Sequence, residues 1–388
     1  MRLFESIKLG KLYSVHNGLS KGRQFFGSGF PFLTFSEVFN NYFLPNKLIS
    51  LVQSSEKERI SCSIKRGDVF ITRTSETMNE LGMSSVALKD YPNATYNGFT
   101  KRLRPTTNKV LPEYIGYYLR SPKFRGKFMA FSSMTTRASL ANDDLLNMEI
   151  ELPSLSIQNK IATILSRYDS LIENYQKQIT LLEEAAQRLY KEWFVDLRFP
   201  GYENTPVVDG VPEGWEIKSI IDVYNFKYGK ILPTKDFVKD GAIPVYGASK
   251  QIGRYSKANC FEPKVLIGSR GNAGFVHRTI EDETYVTNNS FIVEPQKEFK
   301  HLRLPYIYES LKAIDFVAIC TGAAQPQLTL NSIASLKYII PSDRIITDYC
   351  DVSVLFFKKI AMSYKQIRLL TEARDRLLPK LMSGEIEV

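Results

Sequence analysis

The longest pattern in the chain is helical. From Ile157 onward apolar residues fall at Ile161, Ile164, Tyr168, Leu171, Tyr175, Ile179, Leu182, Ala186, Leu189 and Trp193. Steps of three and four residues, with one stutter between Tyr175 and Ile179, are the seam of a coiled-coil helix. A second, noisier seam runs through Ile345, Tyr349, Val352, Phe356, Lys359, Ser363, Ile367, Leu370, Arg374, Leu377 and Leu381, where Leu355 and Ile360 stand beside the polar gaps. Pro153 and Pro341 precede the two runs, Ser154 and Ser342 are placed to cap them, and Pro200-Gly201 closes the first. Each helix, at roughly 38 residues, is about 57 Å long. The remaining segments read differently. Short β-type runs at DVFIT (68–72), KVLI (264–267) and SFIV (290–293) are punctuated by Gly, Pro and Asn, and short helices are expected at Leu111 to Leu119 and Leu304 to Leu311.

The helical pattern is repeated as sequence. KQITLLEEAAQRL, starting at Lys177, returns as KQIRLLTEARDRL, starting at Lys365, an offset of 188 residues. The same offset carries Leu152-Pro153-Ser154 onto Ile340-Pro341-Ser342 and Leu140 onto Leu328. One duplication of that size implies two half-molecules related by an approximate two-fold axis. The expected fold is α/β of the α+β kind: two mixed α/β domains joined by two long helices that form an antiparallel coiled coil. The boundaries are 1–152 and 200–341 for the domains, and 153–199 and 342–388 for the helices. The loop from Pro200 to Gly214 opens the second half. Apolar residues beside the main stripe, Leu165, Ile172 and Leu181 among them, call for a further partner surface.

Composition narrows the class. At 388 residues, 44% hydrophobic and 12% aromatic, the chain can build real cores. It has no apolar run long enough for a membrane span and no secretory-type start, so a cytoplasmic protein is expected. Cys62, Cys260, Cys320 and Cys350 are scattered without zinc-ligand spacing and are expected as buried thiols. The net charge of +10 is localised: residues 1–150 hold 21 Lys and Arg against 12 Asp and Glu, and residues 222–278 hold ten against four. Two basic zones point to a polyanionic partner. A phosphate-binding GxxxxGK[ST] loop, a complete GxGxxG, an NPP[YF] motif and HExxH are all missing, and His16, His277 and His301 stand apart. The pattern is that of a binder, with no catalytic residue and no metal site.

A tandem of basic domain and long helix, repeated without catalytic motifs, closely resembles the specificity (S) subunit of type I restriction-modification systems. The matching stretches are LPSLSIQNKIATIL at Leu152, VPEGWEI at Val211, YGASKQIGRY at Tyr246, VLIGSRGNAG at Val265, TGAAQPQLTLNSIASLKYIIP at Thr321 and RDRLLPKLMSGEIEV at Arg374. The resemblance covers essentially the whole chain. It implies a DNA-binding protein in which two target recognition domains each read half of a split site on double-stranded DNA. The helices then dock two modification (M) subunits. It also implies that this chain carries no cofactor: S-adenosylmethionine for adenine-N6 methylation belongs to the M partners, and ATP and Mg to two restriction (R) subunits, whose presence in the working complex the sequence leaves open. By length alone the helical rod spans at most ~17 base pairs.

Phosphate contacts need Lys, Arg and small donors on loops, and base reading needs forked donors or amides that reach a groove. In the first domain these criteria select Lys21 and Arg23 in a Gly-rich loop, Arg73 and Thr74 after DVFIT, and Thr136 and Arg137 before Leu140. In the second they select Lys230, Ser249, Lys250, Arg254, Arg270, Gln325 and Gln327. Arg270 matches Arg73 by context, whereas Gly268, Gly271 and Gly274 are assigned to turn shaping. Two other functions stay open on these residues: an accessory nuclease acting without M subunits, and a scaffold or inhibitor that never reads DNA.

Overall fold

The computed structural model describes residues 4–75, 80–131, 138–139, 141–322 and 325–388. The chain forms two compact units, one from Met1–Leu171 with Leu369–Val388 and the other from Ile172–Arg368. Each unit therefore owns a mixed α/β domain plus part of both long helices, Leu155–Tyr190 and Asp343–Ser383. Among the described residues, no helix is long and apolar enough to cross a membrane.

The first unit is built on an antiparallel sheet in the order Tyr13–Asn17, Thr100–Pro105, Val69–Thr72, Ser84–Val86. A smaller sheet, Leu51–Val52, Phe26–Leu33 and Thr95–Tyr96, pairs its last two strands in parallel. A ribbon of Glu5–Lys8 with Glu149–Leu152 leads into the first long helix. Val69, Phe70 and Ile71 are buried without the alternation of a half-exposed strand, as a central strand covered on both faces requires. One face meets the helix Pro112–Tyr118, whose Tyr114, Tyr117 and Tyr118 pack with Phe124 and Phe128 of the helix that follows. That core also takes Ile161, Ala162 and Leu165 from the start of the first long helix and Leu378, Leu381 and Met382 from the end of the second. Ser154 Oγ accepts from the Ile157 N–H at 3.4 Å. Four residues on, buried Gln158 accepts from the Leu111 N–H and donates to the carbonyls of Lys109 and Pro153, all at 2.9 Å, fastening the helix entry to the domain.

The second unit repeats the plan strand for strand. Its main sheet runs Tyr224–Tyr228, Ser290–Pro295, Val265–Gly268, Val276–Arg278, and its smaller sheet Gln251–Tyr255, Ile243–Tyr246, Tyr285–Val286, again with a parallel last pair. Here the core receives Leu189, Tyr190, Trp193 and Phe194 from the end of the first helix and Ile346, Tyr349 and Cys350 from the start of the second. Three buried tyrosines share hydroxyl bonds, Tyr224 with Tyr338 at 2.9 Å and Tyr338 to Tyr306 at 3.2 Å, which satisfies polar atoms that burial would otherwise leave costly. Trp215 of VPEGWEI packs with Phe199 and Ile345.

The seams differ from expectation by single residues. Leu171 is 46% exposed, whereas Leu165 is fully buried and Ile172 is partly covered. The buried and half-buried positions 161, 165, 168, 172, 175, 179, 182, 186, 189 and 193 then form an unbroken seven-residue repeat without the stutter. In the second helix Ser353, Phe357 and Ile360 are buried where Val352, Phe356 and Lys359 were expected, and Phe357 is turned against Tyr308 and Arg278 of the domain. The first helix also stops before Pro200. It ends in a π turn, Lys191–Val195, and the chain reverses at Leu197 with φ of 55°. The wider turn sets Trp193 and Phe194 against Tyr349, with ring centres 5.9 and 5.1 Å away. The expected opening loop of the second half carries a small hairpin, Val207–Val208 with Val211–Pro212, turned by Asp209-Gly210 with both residues at positive φ. Cys62, Cys260 and Cys350 are buried free thiols, and Cys320 is only half-buried.

In the first unit Asp169 of the first helix accepts from Arg374 Nη1 of the second at 2.6 Å and from Tyr117 Oη at 2.5 Å, while the Arg374 guanidinium lies 5.1 Å over the Tyr42 ring. Asp169→Ala strands Arg374 beside Asp375 and is expected to cost about 1–3 kcal/mol, less than a fully buried pair because the two side chains keep 14% and 28% exposure. Urea denaturation measures it. In the second unit Glu309 is 3% exposed and burial pushes its carboxyl up to about 7. The unfolded chain loses this proton near 4.5 and the folded chain near 7, so the site's contribution to stability is complete below pH 4.5 and is lost as pH rises through 7. Glu309→Gln is therefore expected to match the natural chain near pH 4.5 and to exceed it by roughly 2–3 kcal/mol at pH 8, read from unfolding curves at the two pH values.

Candidate nucleic-acid interface

In each unit the loops that carry most of the candidate residues gather at one end of the main sheet, because adjacent antiparallel strands end and begin there. In the second unit these are the turns after Tyr228, after Tyr246, after Gly268 and before Ser290, with the segment 321–327 beside them. They are tied by backbone and short side chains. Lys230 donates its N–H to Val286 O at 3.0 Å and bridges Thr287, Ser290 Oγ donates to Gly247 O at 2.9 Å, and Asn272 Nδ2 donates to Ser249 Oγ at 2.6 Å. Ser269 N–H donates to Asn289 O at 2.7 Å, Leu328 N–H donates to Ser269 O at 3.0 Å, and Arg270 forms a bridge with Gln327. Gly274, at φ of 82°, closes the turn where a Cβ would stand 2.7 Å from Val317 N, and Gly268 approaches Asn272 O too closely for any side chain. Turn shaping is the role of both.

This edge brings together Lys230, Ser249, Lys250, Arg270, Gln325 and Gln327. Lys230, Lys250, Arg270 and Gln325 are exposed there, and Ser249 and Gln327 half-buried. Arg254 is different. Its guanidinium donates from Nε and Nη2 to the carbonyls of Gly241 and Ala242 and pins the loop before Ile243, so two of its donors are used inside the domain.

The first unit has the same edge with other side chains. Leu19 donates to Tyr96 O at 2.8 Å and bridges Asn97, as Lys230 does with Val286 and Thr287, and Arg73 N–H donates to Phe99 O at 2.9 Å, as Ser269 does to Asn289. The pairing of Thr74 with Ser139 matches that of Arg270 with Gln327. The ladder thus places Ser269, not Arg270, opposite Arg73; matching by context was one residue out of register. Arg23 is exposed. Lys21 is only half-exposed: it bonds Gln53 O at 2.8 Å and pairs with Glu58 at 2.9 Å, holding that carboxyl below its ordinary range, and it covers the Phe25 ring. Thr136 and Arg137 lie outside the described residues.

Several polar groups at these edges were not anticipated. Lys101 is 4% exposed, bonded to Asn142, and burial followed by the nearby Arg73 charge lowers its pKa. Arg73 Nε is buried with no hydrogen-bond partner among the described residues. Asn288 and Asn289 could have been picked out as consecutive amides between two strands, but their role depends on a register that single-sequence patterns do not supply. Arg278 of Val276–Arg278 is 9% exposed, with its guanidinium 4.5 and 5.4 Å from the ring centres of Phe357 and Tyr308. It lines a cleft of about 990 Å³ together with Ser249, Lys250, Arg254, Lys365 and Arg368. Burial holds His277, in the same wall, down at about 4, so its ring is neutral at ordinary pH.

The geometry separates the two kinds of cation. Arg254→Ala is expected to lower the stability of the second unit by about 1–3 kcal/mol and to leave the salt dependence of DNA affinity unchanged, whereas Lys250→Ala is expected to leave stability unchanged and to flatten the log–log salt slope by about one. Thermal unfolding and binding titrations at several salt concentrations check the pair of outcomes.

Comparison with known proteins follows the duplication. The family model described as "Type I restriction modification DNA specificity domain" matches residues 1–184 and 212–352. The chain is 26% identical to the type I restriction enzyme MjaIX specificity subunit of Methanocaldococcus jannaschii, over 98% of this chain and 92% of that one. It is 24% identical to the HindI specificity subunit of Haemophilus influenzae, over 92% and 94%. The crystal structure of a type I restriction-modification S subunit from M. genitalium shares the fold, with a TM-score of 0.57 at 17% identity, covering 97% of this chain and 96% of that one.

Proposed function

Because this chain belongs to the family of type I restriction-modification DNA specificity domains, we propose that it is the sequence-reading subunit of such a complex, with one recognition domain for each half of a bipartite site on double-stranded DNA. The observation that carries this is the repeated edge. Two units hold the same loops by the same backbone bonds and fill them with different side chains: Lys230, Arg270, Asn289 and Gln327 in the second, and Leu19, Arg73, Thr74 and Phe99 in the first. Phosphate neutralisation falls to Arg23, Arg73, Lys230 and Lys250, and base reading to Arg270, Gln325, Gln327 and residues around Thr74, with Ser249 as a small donor beside them.

The chain performs no chemistry in this reading. Two modification subunits supply adenine-N6 methylation with S-adenosylmethionine, and restriction subunits, where the host makes them, supply ATP- and Mg-dependent cleavage. What supports docking of modification subunits is apolar surface left over on the long helices: Leu155, Leu171 and Leu369 in the first unit, and Leu181, Val352, Leu355 and Met362 in the second, are each 43–64% exposed. Such rows are expensive to leave in water and are typical of partner sites.

Methylome sequencing of a host with and without the gene tests the function directly. One bipartite adenine-methylated motif should vanish with the gene and return on complementation; an unchanged methylome would sink the proposal.

A further inference from the structure

The duplication supplies an internal alignment that no single domain offers, and the sheet ladders fix it residue by residue. Val69 pairs with Leu103 and Val86 as Val265 pairs with Val293 and Arg278, and Thr72 pairs with Thr100 as Gly268 pairs with Ser290. Running off the strand ends, the equivalent positions on the reading edge are Thr74 and Arg270, Ser139 and Gln327, Gly98 and Asn288, and Phe99 and Asn289. The burial pattern agrees. Residues 97–100 run buried, half-buried, exposed, buried, and residues 287–290 do the same. Phe99 is 62% exposed, on a turn whose backbone carbonyl is already committed to Arg73, and Asn289 is exposed on the same turn with its carbonyl committed to Ser269 and Arg270. In both cases the backbone is fixed and the side chain is free to project.

Resting on the reading of the chain as a specificity subunit, we infer that this shared turn and the bridge beside it are the base-reading slots, and that the two units fill them for different base chemistries. In the second unit Arg270, Asn289 and Gln327 stand together. An arginine fork matches the O6 and N7 acceptors of guanine, and a carboxamide matches N6 and N7 of adenine, so the half-site read by residues 200–341 carries a guanine next to an adenine. In the first unit the turn presents Phe99, which has no donor or acceptor to offer. An exposed ring at a major-groove edge contacts the thymine methyl, so that half-site carries a thymine at the corresponding step. Exposed phenylalanine on a hydrated basic edge is costly in the free protein, and such contact removes the cost.

The test exchanges residues between slots in the full chain, expressed with its own modification subunits in a host lacking other methyltransferases. Arg270→Thr and Phe99→Asn each import the other unit's chemistry or its nearest polar form, and neither side chain is needed for a backbone bond. Arg270→Thr is expected to relax discrimination at one guanine by tenfold or more, leaving the other half-site and the spacer as they were. Phe99→Asn should relax or replace one thymine in the opposite half. Motifs unchanged at every base in both variants overturn the inference. A natural chain that specifies no bipartite motif would instead remove the parent reading. Should a variant give no methylation, competition binding of its complex between the natural site and singly substituted sites reads the same discrimination without turnover. Arg270→Lys provides the control for charge: weakened guanine discrimination with an unaltered salt slope supports the fork, whereas a motif unchanged in Arg270→Thr together with a flattened salt slope makes Arg270 a phosphate contact and overturns the assignment.

Discussion

Everything in this chain follows from apolar stripes too long for one domain to cover. Helices of 36 and 41 residues carry buried or half-buried side chains from end to end, and each is divided between two compact units. In either unit the first turns of one helix and the last turns of the other enter the same core: Ile161 and Leu165 with Leu378 and Met382 in one, Tyr190 and Phe194 with Ile346 and Tyr349 in the other. A domain that borrows helical turns from both ends of the sequence cannot complete its core from its own contiguous segment. The first unit is thus continuous in space and discontinuous in sequence, while the second is the single segment Ile172–Arg368, which carries the inner parts of both helices.

The repeated backbone frees the side chains. At the sheet end the bonds that hold the loops run between main-chain groups, and where a side chain takes part it is short, as with Ser290 on Gly247 O or Asn272 on Ser249. Loops tied in this way keep their course while exposed residues change. That is why Leu19 and Lys230, Thr74 and Arg270, or Phe99 and Asn289 can replace one another without altering the ladder. A long side chain also holds a loop at Arg254, whose guanidinium bonds the carbonyls of Gly241 and Ala242.

The elements were legible in the sequence because they are local. DVFIT, KVLI and SFIV became strands within a residue or two, and the helix from Leu304 was recovered at its first residue. What failed was register. Hydrophobicity scores Leu171 and Ile172, or Val352 and a neighbouring serine, without knowing which face the domain will cover; the buried positions are those that meet the aromatic cores. The π turn at Lys191–Val195 was hidden for the same reason, since only the cluster around Tyr349 calls for it. The candidate loops stand out in the sequence by their Gly and Lys content. The partners of the candidates Lys21 and Arg254, namely Glu58 and the carbonyls of Gly241 and Ala242, could not be foreseen because they are remote in pattern though near in space. Arg278 was invisible, as a cation inside a strand gives no sign that two aromatic rings flank it.

The two units also show that symmetry of fold is not symmetry of attachment. Under the 188-residue offset Asp169 corresponds to Phe357, so one unit joins helix to domain by a carboxylate on Arg374 and Tyr117. At the matching place the other uses a ring beneath Arg278, and Arg278 itself replaces the fully buried Val86. The ion pair is specific in direction and sensitive to loss of either partner. The cation over a ring tolerates small shifts and sets Arg278 in the cleft wall. Each solution depends on its own neighbours: Phe357 lies against Tyr308 and Arg278, and a phenyl ring at 169 would leave Arg374 with Asp375 alone. Each set joins a domain residue, Tyr117 or Arg278, to helix residues, Asp169 and Arg374 or Phe357, so exchanging a domain alone at the helix ends would part them and each domain is matched to the helical turns it borrows.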